Sequence, residues 1–171
     1  MGRCGLYCAA CRIYRAERDS PAWRAEIAAH FKCKPEEVRC RGCGALTPDC
    51  WGYNCQFLIC QREKGLESCY QCREYHQRTC ARYEAFAQRY LEEYGVDVRA
   101  GLDMVASGHG GEWLQQMIRR YTCPHCHKPL AVGETECHHC HRPLAAPAPN
   151  EPPVQESIPS SAPAETESGE P

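Results

Sequence analysis

Residues 123–144 read CPHCHKPLAVGETECHHCHRPL, in which one eight-residue unit occurs twice. Each unit holds a C-x-x-C pair, and ten residues separate the two pairs. Two residues between paired sulfurs make a tight turn, so two such turns can surround one zinc ion with four thiolates. The pattern predicts a zinc ribbon over residues 121–144, built from β-hairpin knuckles, with the ligands Cys123, Cys126, Cys137 and Cys140.

The same two units also spell C-x-x-C-H, the attachment signature of c-type haem. Haem attachment requires export, and the opening residues MGRCGL contain no hydrophobic signal segment. Structural zinc is therefore favoured over haem. The residue after each second cysteine commonly needs a positive φ, which His127 and His141 are expected to adopt. The five histidines of the repeat offer ligands for further metal, but they are expected on the knuckle surface, because four thiolates already close a structural site. They are His125, His127, His138, His139 and His141.

The composition favours metal over burial as the source of stability. Cysteine makes up 16 of the 171 residues, whereas Leu, Ile, Val and Phe together number only 23. A chain with so few apolar residues seldom folds around a hydrophobic core alone and usually needs disulfides or bound metal ions as well. In the reducing cytoplasm, which is the expected compartment, many cysteines indicate metal sites rather than disulfides. The net charge of −2 argues against a highly basic nucleic-acid binder, and no apolar run approaches the length of a membrane span.

The other twelve cysteines all lie within the first eighty positions. C-x-x-C pairs begin at Cys8, Cys40 and Cys69, and each pair can supply half of a tetrahedral site. Spacing does not reveal which cysteines share a site. Cys33 follows a predicted helix end, where a cysteine can be either a metal ligand or a small buried apolar residue. The predicted ligands of this region are Cys4, Cys8, Cys11, Cys40, Cys43, Cys50, Cys55, Cys60, Cys69, Cys72 and Cys80.

Zinc is the favoured metal here, with an iron–sulfur cluster as the alternative. The C-x3-C-x2-C run from Cys4 to Cys11 matches the cluster motif of radical enzymes that use S-adenosylmethionine. Those enzymes need a large α/β barrel, which a domain of this size without strand–helix alternation does not supply. A plain iron–sulfur cluster needs only thiolates at suitable reach and stays open.

The opening run Cys4-Gly5-Leu6-Tyr7-Cys8-Ala9-Ala10-Cys11 resembles an uncharacterised bacterial and archaeal family of small cysteine-rich proteins, a domain of unknown function. The family's Cys-x-Gly-Cys element is similar to residues 40–43, and its C-x4-C, Lys-Gly and C-x-x-C elements are similar to residues 55–72. Trp113-Leu114 and the terminal repeat resemble additions in some members, so the likeness covers about residues 3–141. The gap between Cys72 and Cys80 is longer than usual. The resemblance implies metal binding and no particular activity.

Three helices are predicted in residues 1–122. Ser20 is a suitable N-cap before Pro21, a second helix runs from Cys80 to Tyr94 with Gly95 as its stop, and a third covers about residues 112–121. Each carries apolar residues at helical spacing, which we interpret as core rather than ligand surface. The residues predicted to face inward are Trp23, Ile27 and Phe31, then Cys80, Tyr83, Ala87, Tyr90 and Tyr94, then Trp113, Met117 and Ile118.

The predicted fold class is a small α-rich, metal-stapled domain with irregular cysteine-rich loops. It occupies residues 1–120 and is followed by the zinc ribbon at 121–144. Residues 145–171 contain five Glu and seven Pro but no Lys, Arg, Cys or aromatic residue, which predicts a disordered acidic tail.

No arrangement of catalytic residues is visible, and a closed four-cysteine zinc site cannot activate water, so enzyme activity is not expected. The glycine-rich segment 108–111 is expected to connect two helices. The predicted function is a cytoplasmic zinc protein that serves as a structural or interaction module for another protein. Alternatives are an iron–sulfur redox protein and a thiol-based metal carrier. Nucleic-acid binding through Arg119, Arg120, Lys128 and Arg142 has weak support, and neither a membrane nor a small-molecule substrate is expected.

Overall fold

The structure is a computed structural model that describes residues 1–145. The predicted acidic tail therefore lies outside the described residues, except for Ala145. The described part is helix-rich, as predicted, and contains the α-helices α1 (Arg12–Asp19), α2 (Pro21–His30), α3 (Gln56–Lys64), α4 (Arg73–His76), α5 (Ala81–Tyr94), α6 (Val98–Ala106) and α7 (Gly110–Arg120). Short 3-10 turns occupy Cys8–Ala10, Pro35–Glu37 and Cys69–Gln71. No helix in residues 1–145 combines the length and the apolar character needed to cross a membrane.

Helices α1 and α2 pack together over a small core made of Ile13, Ala16, Ile27, Ala28 and Val38. Ser20 separates the two helices in an extended conformation, and its side chain accepts a hydrogen bond from the Trp23 N–H at 3.4 Å. This is the predicted N-cap, followed by Pro21. The prediction for Phe31 was wrong: it follows the last turn of α2, is 40 % exposed, and lies against Trp51 rather than the core.

A second core forms where Tyr83 of α5 meets Tyr75 of α4 and Leu102 of α6. The Tyr83 hydroxyl donates to the Cys4 carbonyl at 3.2 Å, which ties this core to the N-terminal segment. Helix α5 agrees with the prediction, and Gly95 ends it in the left-handed conformation (φ 60°).

Helix α7 lies against α6 through Trp113, which is 4 % exposed and is the residue that a Cβ added to Gly101 would meet. Ile118 does not face inward as predicted, since it is 41 % exposed. Residues 107–109 connect α6 to α7, so the predicted connection at 108–111 is confirmed only for its first two residues, because Gly110 and Gly111 form the start of α7.

The ribbon does not form the predicted β-hairpins. Residues 1–145 contain no β-strand, and each knuckle has one isolated antiparallel bridge, Thr122 with Pro129 and Glu136 with Pro143. Proline has no N–H to donate, so neither bridge can extend into a ladder at that position. Each knuckle is instead held by a hydrogen bond between its own residues. The N–H of Cys123 donates to the Lys128 carbonyl at 2.9 Å, and the N–H of Cys137 donates to the Arg142 carbonyl at 3.0 Å.

The segment that joins the two knuckles rests on the start of the chain. The N–H of Val132 donates to the Ala10 carbonyl at 2.8 Å, and Arg12 Nε donates back to the Val132 carbonyl at 2.9 Å. The rings of Tyr7 and Tyr121 stack with their centroids 5.9 Å apart. The ribbon is thereby held against α1 by contacts between residues more than 110 positions apart in the chain.

Candidate metal centres

The four cysteines of the ribbon come together. Their sulfur atoms all lie within 4.8 Å of one another, and the pairs that join the two knuckles, Cys123 with Cys140 and Cys126 with Cys137, are each 3.8 Å apart. A metal ion with four thiolates at about 2.3 Å in a tetrahedron places its sulfurs about 3.8 Å apart. These thiols are therefore arranged as the donor set of one tetrahedral ion and can hold it without rearrangement.

The knuckle backbone explains how short segments hold the thiols in place. His127 and His141 have φ values of 58° and 55°, as predicted for the residue after each second cysteine. The N–H of His125 points at the Cys123 sulfur at 3.4 Å. Burial raises the pKa of Cys123, but the surrounding N–H and S–H donors outweigh burial and lower it to about 7. The thiolate that a metal requires is thus favoured at this position.

Four further cysteines, Cys60, Cys69, Cys72 and Cys80, line one pocket between α3, α4 and α5. The side-chain amide of Gln61 donates to the Cys69 sulfur at 3.1 Å, and the Lys64 ammonium lies 3.7 Å from the Cys72 sulfur. Burial raises the pKa of Cys69 to about 11, and the Gln61 hydrogen bond opposes it. Among residues 1–80, no three cysteine sulfurs lie within 4.8 Å of one another, so this group is wider than the ribbon cluster.

The first cysteine run meets the Cys-Arg-Gly-Cys element. A side-chain hydrogen bond from Cys8 lowers the pKa of Cys43 to about 6 and raises that of Cys8. Gly2 sits beside this pair, because a Cβ there would lie 3.3 Å from the Cys8 sulfur and 3.6 Å from the Cys43 sulfur. Cys4, the first cysteine of the run, is buried, and this burial raises the pKa of its thiol to about 12.

The remaining cysteines differ in their surroundings. Burial raises the pKa of Cys40, and the neighbouring thiols of Cys11, Cys43 and Cys50 act in the same direction. Cys33 is half-buried and packs against the α1–α2 core, as expected of a small apolar residue. All sixteen cysteines are free thiols, so no disulfide competes with metal binding.

One group was missed by sequence reasoning. His138 and His139, predicted on the knuckle surface, have side chains only 5 % and 14 % exposed, and both face Asp19 at the end of α1. Asp19 Oδ2 lies 2.8 Å from His138 Nε2 and 3.6 Å from His139 Nε2. No spacing signal could have found this group, because Asp19 is 119 residues from His138 and 120 residues from His139 in the chain.

Comparison with known proteins bears on the first half of the chain. Residues 1–85 match the family described as "Protein of unknown function (DUF3795)". This segment of the chain is similar to DUF3795. The DUF3795 match contains twelve of the sixteen cysteines, helices α1 to α4 and the first turn of α5. It ends well before the ribbon, whereas the resemblance in the sequence suggested a likeness to about residue 141. Searches of curated proteins and of solved structures found no match to the chain.

Proposed function

We propose that this chain is a zinc-stapled scaffold that presents a surface to another protein in the cytoplasm. The observation that carries the proposal is the 3.8 Å separation of the sulfur pairs that join the two knuckles. That distance equals the edge of a tetrahedron around an ion with metal–sulfur bonds of about 2.3 Å, the value for zinc. A four-thiolate site of this kind is closed to substrate, which supports a structural role rather than catalysis.

Metal supplies the stability that the small cores lack. The ribbon cluster buries only Cys123, Leu130 and Cys137, too little apolar surface to hold the 24 residues 121–144 folded. Structural zinc contributes on the order of 10–16 kcal/mol to the folding of isolated zinc-finger peptides. A zinc ion between the knuckles is therefore sufficient to hold the ribbon, and through Val132 the ribbon supports the N-terminal segment.

Exposed aromatic residues offer a surface for a protein partner. Phe31 and Trp51 are 40 % and 42 % exposed, and their ring centroids lie 5.0 Å apart. Aromatic residues supply much of the binding energy at protein interfaces. On α7, Leu114 and Ile118 are similarly exposed and lie one helical turn apart. Both features support recognition of a protein rather than a small molecule.

The four-cysteine pocket favours a second candidate function, an iron–sulfur redox protein. Its sulfurs spread more widely than those of the ribbon, and a cluster of several irons holds its thiolates further apart than a single ion does. The Gln61 amide and the Lys64 ammonium would then donate to the sulfurs, an arrangement that tunes cluster potentials.

Elemental analysis and a visible spectrum of the full chain, purified without oxygen, test both proposals. The scaffold predicts a colourless protein with stoichiometric zinc that resists a mild chelator and unfolds when a strong one strips the metal. Iron with acid-labile sulfide and a brown colour would instead establish the redox protein. Substoichiometric metal that a mild chelator removes from a chain that stays folded would contradict the scaffold and indicate a thiol-based carrier.

A further inference from the structure

Asp19, His138 and His139 bring three donor atoms together, all within 4.8 Å of one another, where α1 meets the second knuckle. The group is separate from the ribbon thiols, and its chemistry is different. Two imidazoles and one carboxylate suit divalent first-row transition ions, whereas four thiolates suit structural zinc. The side chains are enclosed, with exposed fractions of 6 % for Asp19, 5 % for His138 and 14 % for His139.

The ring of His138 lies between two carboxylates. Its Nδ1 lies 2.5 Å from Glu134, and its Nε2 faces an oxygen of Asp19 at 2.8 Å. Nε2 and the Asp19 oxygen are therefore close enough to be ligands of one metal ion. In metal sites, the ring nitrogen of a histidine that does not bind the ion is usually hydrogen-bonded to a carboxylate or a carbonyl, and Glu134 is in that position beside Nδ1 of His138.

His139 provides the observation that favours a metal ion. Its Nε2 is buried and has no hydrogen-bond partner among the described residues. The Asp19 oxygen at 3.6 Å is too far for a hydrogen bond. A buried nitrogen without a partner is unfavourable, and a metal ion between Asp19 and the two histidines would satisfy it. Two ligand atoms that each lie about 2.1 Å from one tetrahedral ion are about 3.4 Å apart. This separation lies between the distances from the Asp19 oxygen to His138 Nε2 (2.8 Å) and to His139 Nε2 (3.6 Å).

We propose that Asp19, His138 and His139 bind a divalent transition-metal ion that fastens the ribbon to α1. The three protein ligands leave coordination positions open, unlike the closed thiolate site next to them. Arg15 holds Asp19 through both oxygens, with Nε donating to Oδ2 at 2.8 Å and Nη2 donating to Oδ1. A carboxylate has about four lone-pair sites, so this contact orients Asp19 and leaves room for the ion. Trp23 covers the ring of His138 and keeps water from that face.

The two knuckles provide a matched pair of variants, because His125 occupies in the first knuckle the position that His139 occupies in the second. His125 is exposed and contacts Arg142 at 3.4 Å, away from Asp19. The full chain is first loaded with zinc at its cysteines and freed of loosely held metal. Co²⁺ is then titrated by calorimetry and visible spectroscopy, since cobalt binds more weakly than zinc and leaves the zinc in place.

We expect the wild-type chain to bind one Co²⁺ without thiolate-to-cobalt charge transfer. His139→Ala should weaken this binding by about 100-fold or more, Glu134→Gln by about 10–100-fold, and His125→Ala should leave it unchanged. Zinc content should be equal in all four proteins, which shows that the ribbon is intact. The proposal is overturned if the wild type binds no Co²⁺ in this way, if His125→Ala and His139→Ala behave alike, or if charge-transfer bands show cobalt at the cysteines. The result is independent of the proposed scaffold function, which the zinc content tests separately.

Discussion

The indole of Trp23 lies flat on the imidazole of His138, with ring centroids 3.9 Å apart and planes 6° from parallel. Trp23 belongs to α2 of the DUF3795 half, and His138 stands between two cysteines of the ribbon. The indole also packs against the α1–α2 core, so one side chain links that core to the second knuckle. The two parts of the chain are therefore joined by packing as well as by the hydrogen bonds that Val132 makes with Ala10 and Arg12.

Replacing Trp23 by alanine should loosen the ribbon without emptying its metal site. A fully buried Trp→Ala change costs about 3–5 kcal/mol, and Trp23 is only half-buried, so we expect a loss of about 2 kcal/mol in the free energy of unfolding. Urea denaturation measures this loss, and amide exchange in residues 131–144 should accelerate. Trp51→Ala, at a 42 % exposed position, is the control and should change stability by about 0.5 kcal/mol. Unchanged exchange in the ribbon would show that Trp23 does not hold it.

Cys123→Ser should remove one equivalent of zinc and unfold residues 121–144. Serine keeps the size of the side chain but supplies no thiolate, and Cys123 is fully buried among the other three sulfurs. The helices of residues 1–120 are expected to persist, because their cores do not include the ribbon cysteines. Metal analysis and far-ultraviolet circular dichroism check both parts. Loss of the helical signal together with the ribbon would mean that the boundary at residue 120 is not a folding boundary.

Cys69→Ser should empty the four-cysteine pocket and leave the ribbon metal in place. Cys69 lines the pocket and accepts the Gln61 hydrogen bond, so its loss removes a central donor. Cys33→Ser is the matched control, because Cys33 packs against the α1–α2 core instead. We expect metal content to fall only in the first variant, measured by elemental analysis of protein purified without oxygen. An equal metal content in Cys69→Ser and in the wild type would exclude the pocket as a metal centre.

Gly101→Ala should destabilise the contact between α6 and α7. A Cβ at this position would lie 2.4 Å from Nε1 of Trp113, which is buried and cannot move freely. Overpacking of this kind typically costs about 1–3 kcal/mol, more than the helix propensity that alanine adds. Gly111→Ala, where a Cβ would meet nothing within 4 Å, should be neutral or slightly stabilising. The comparison is a pair of thermal melts, and similar melting temperatures for the two variants would argue against the packing of Trp113 on Gly101.

Local patterns predicted α2, α5 and α7 but not α1, α3, α4 or α6, and they predicted the positive φ values in the knuckles but not the absence of β-hairpins there. The Ser20–Pro21 start of α2, the tyrosine stripe of α5 and its Gly95 stop depend on neighbouring residues, and all three are present. Helix α3 has its apolar residues in one consecutive run, residues 57–60, rather than on a stripe, so the periodicity did not reveal it. Phe31 and Ile118 were placed in the core because periodicity reports a helix face and not what covers it.

The sequence by itself determined which residues could bind metal, since C-x-x-C spacing brings two sulfurs to one turn wherever that turn lies. It also determined the left-handed residues His127 and His141 that close each knuckle. Only the tertiary structure decided which cysteines share a pocket and that His138 and His139 face Asp19. Those contacts join residues far apart in the chain, and their formation depends on how the helices and the ribbon pack, which short-range spacing does not encode.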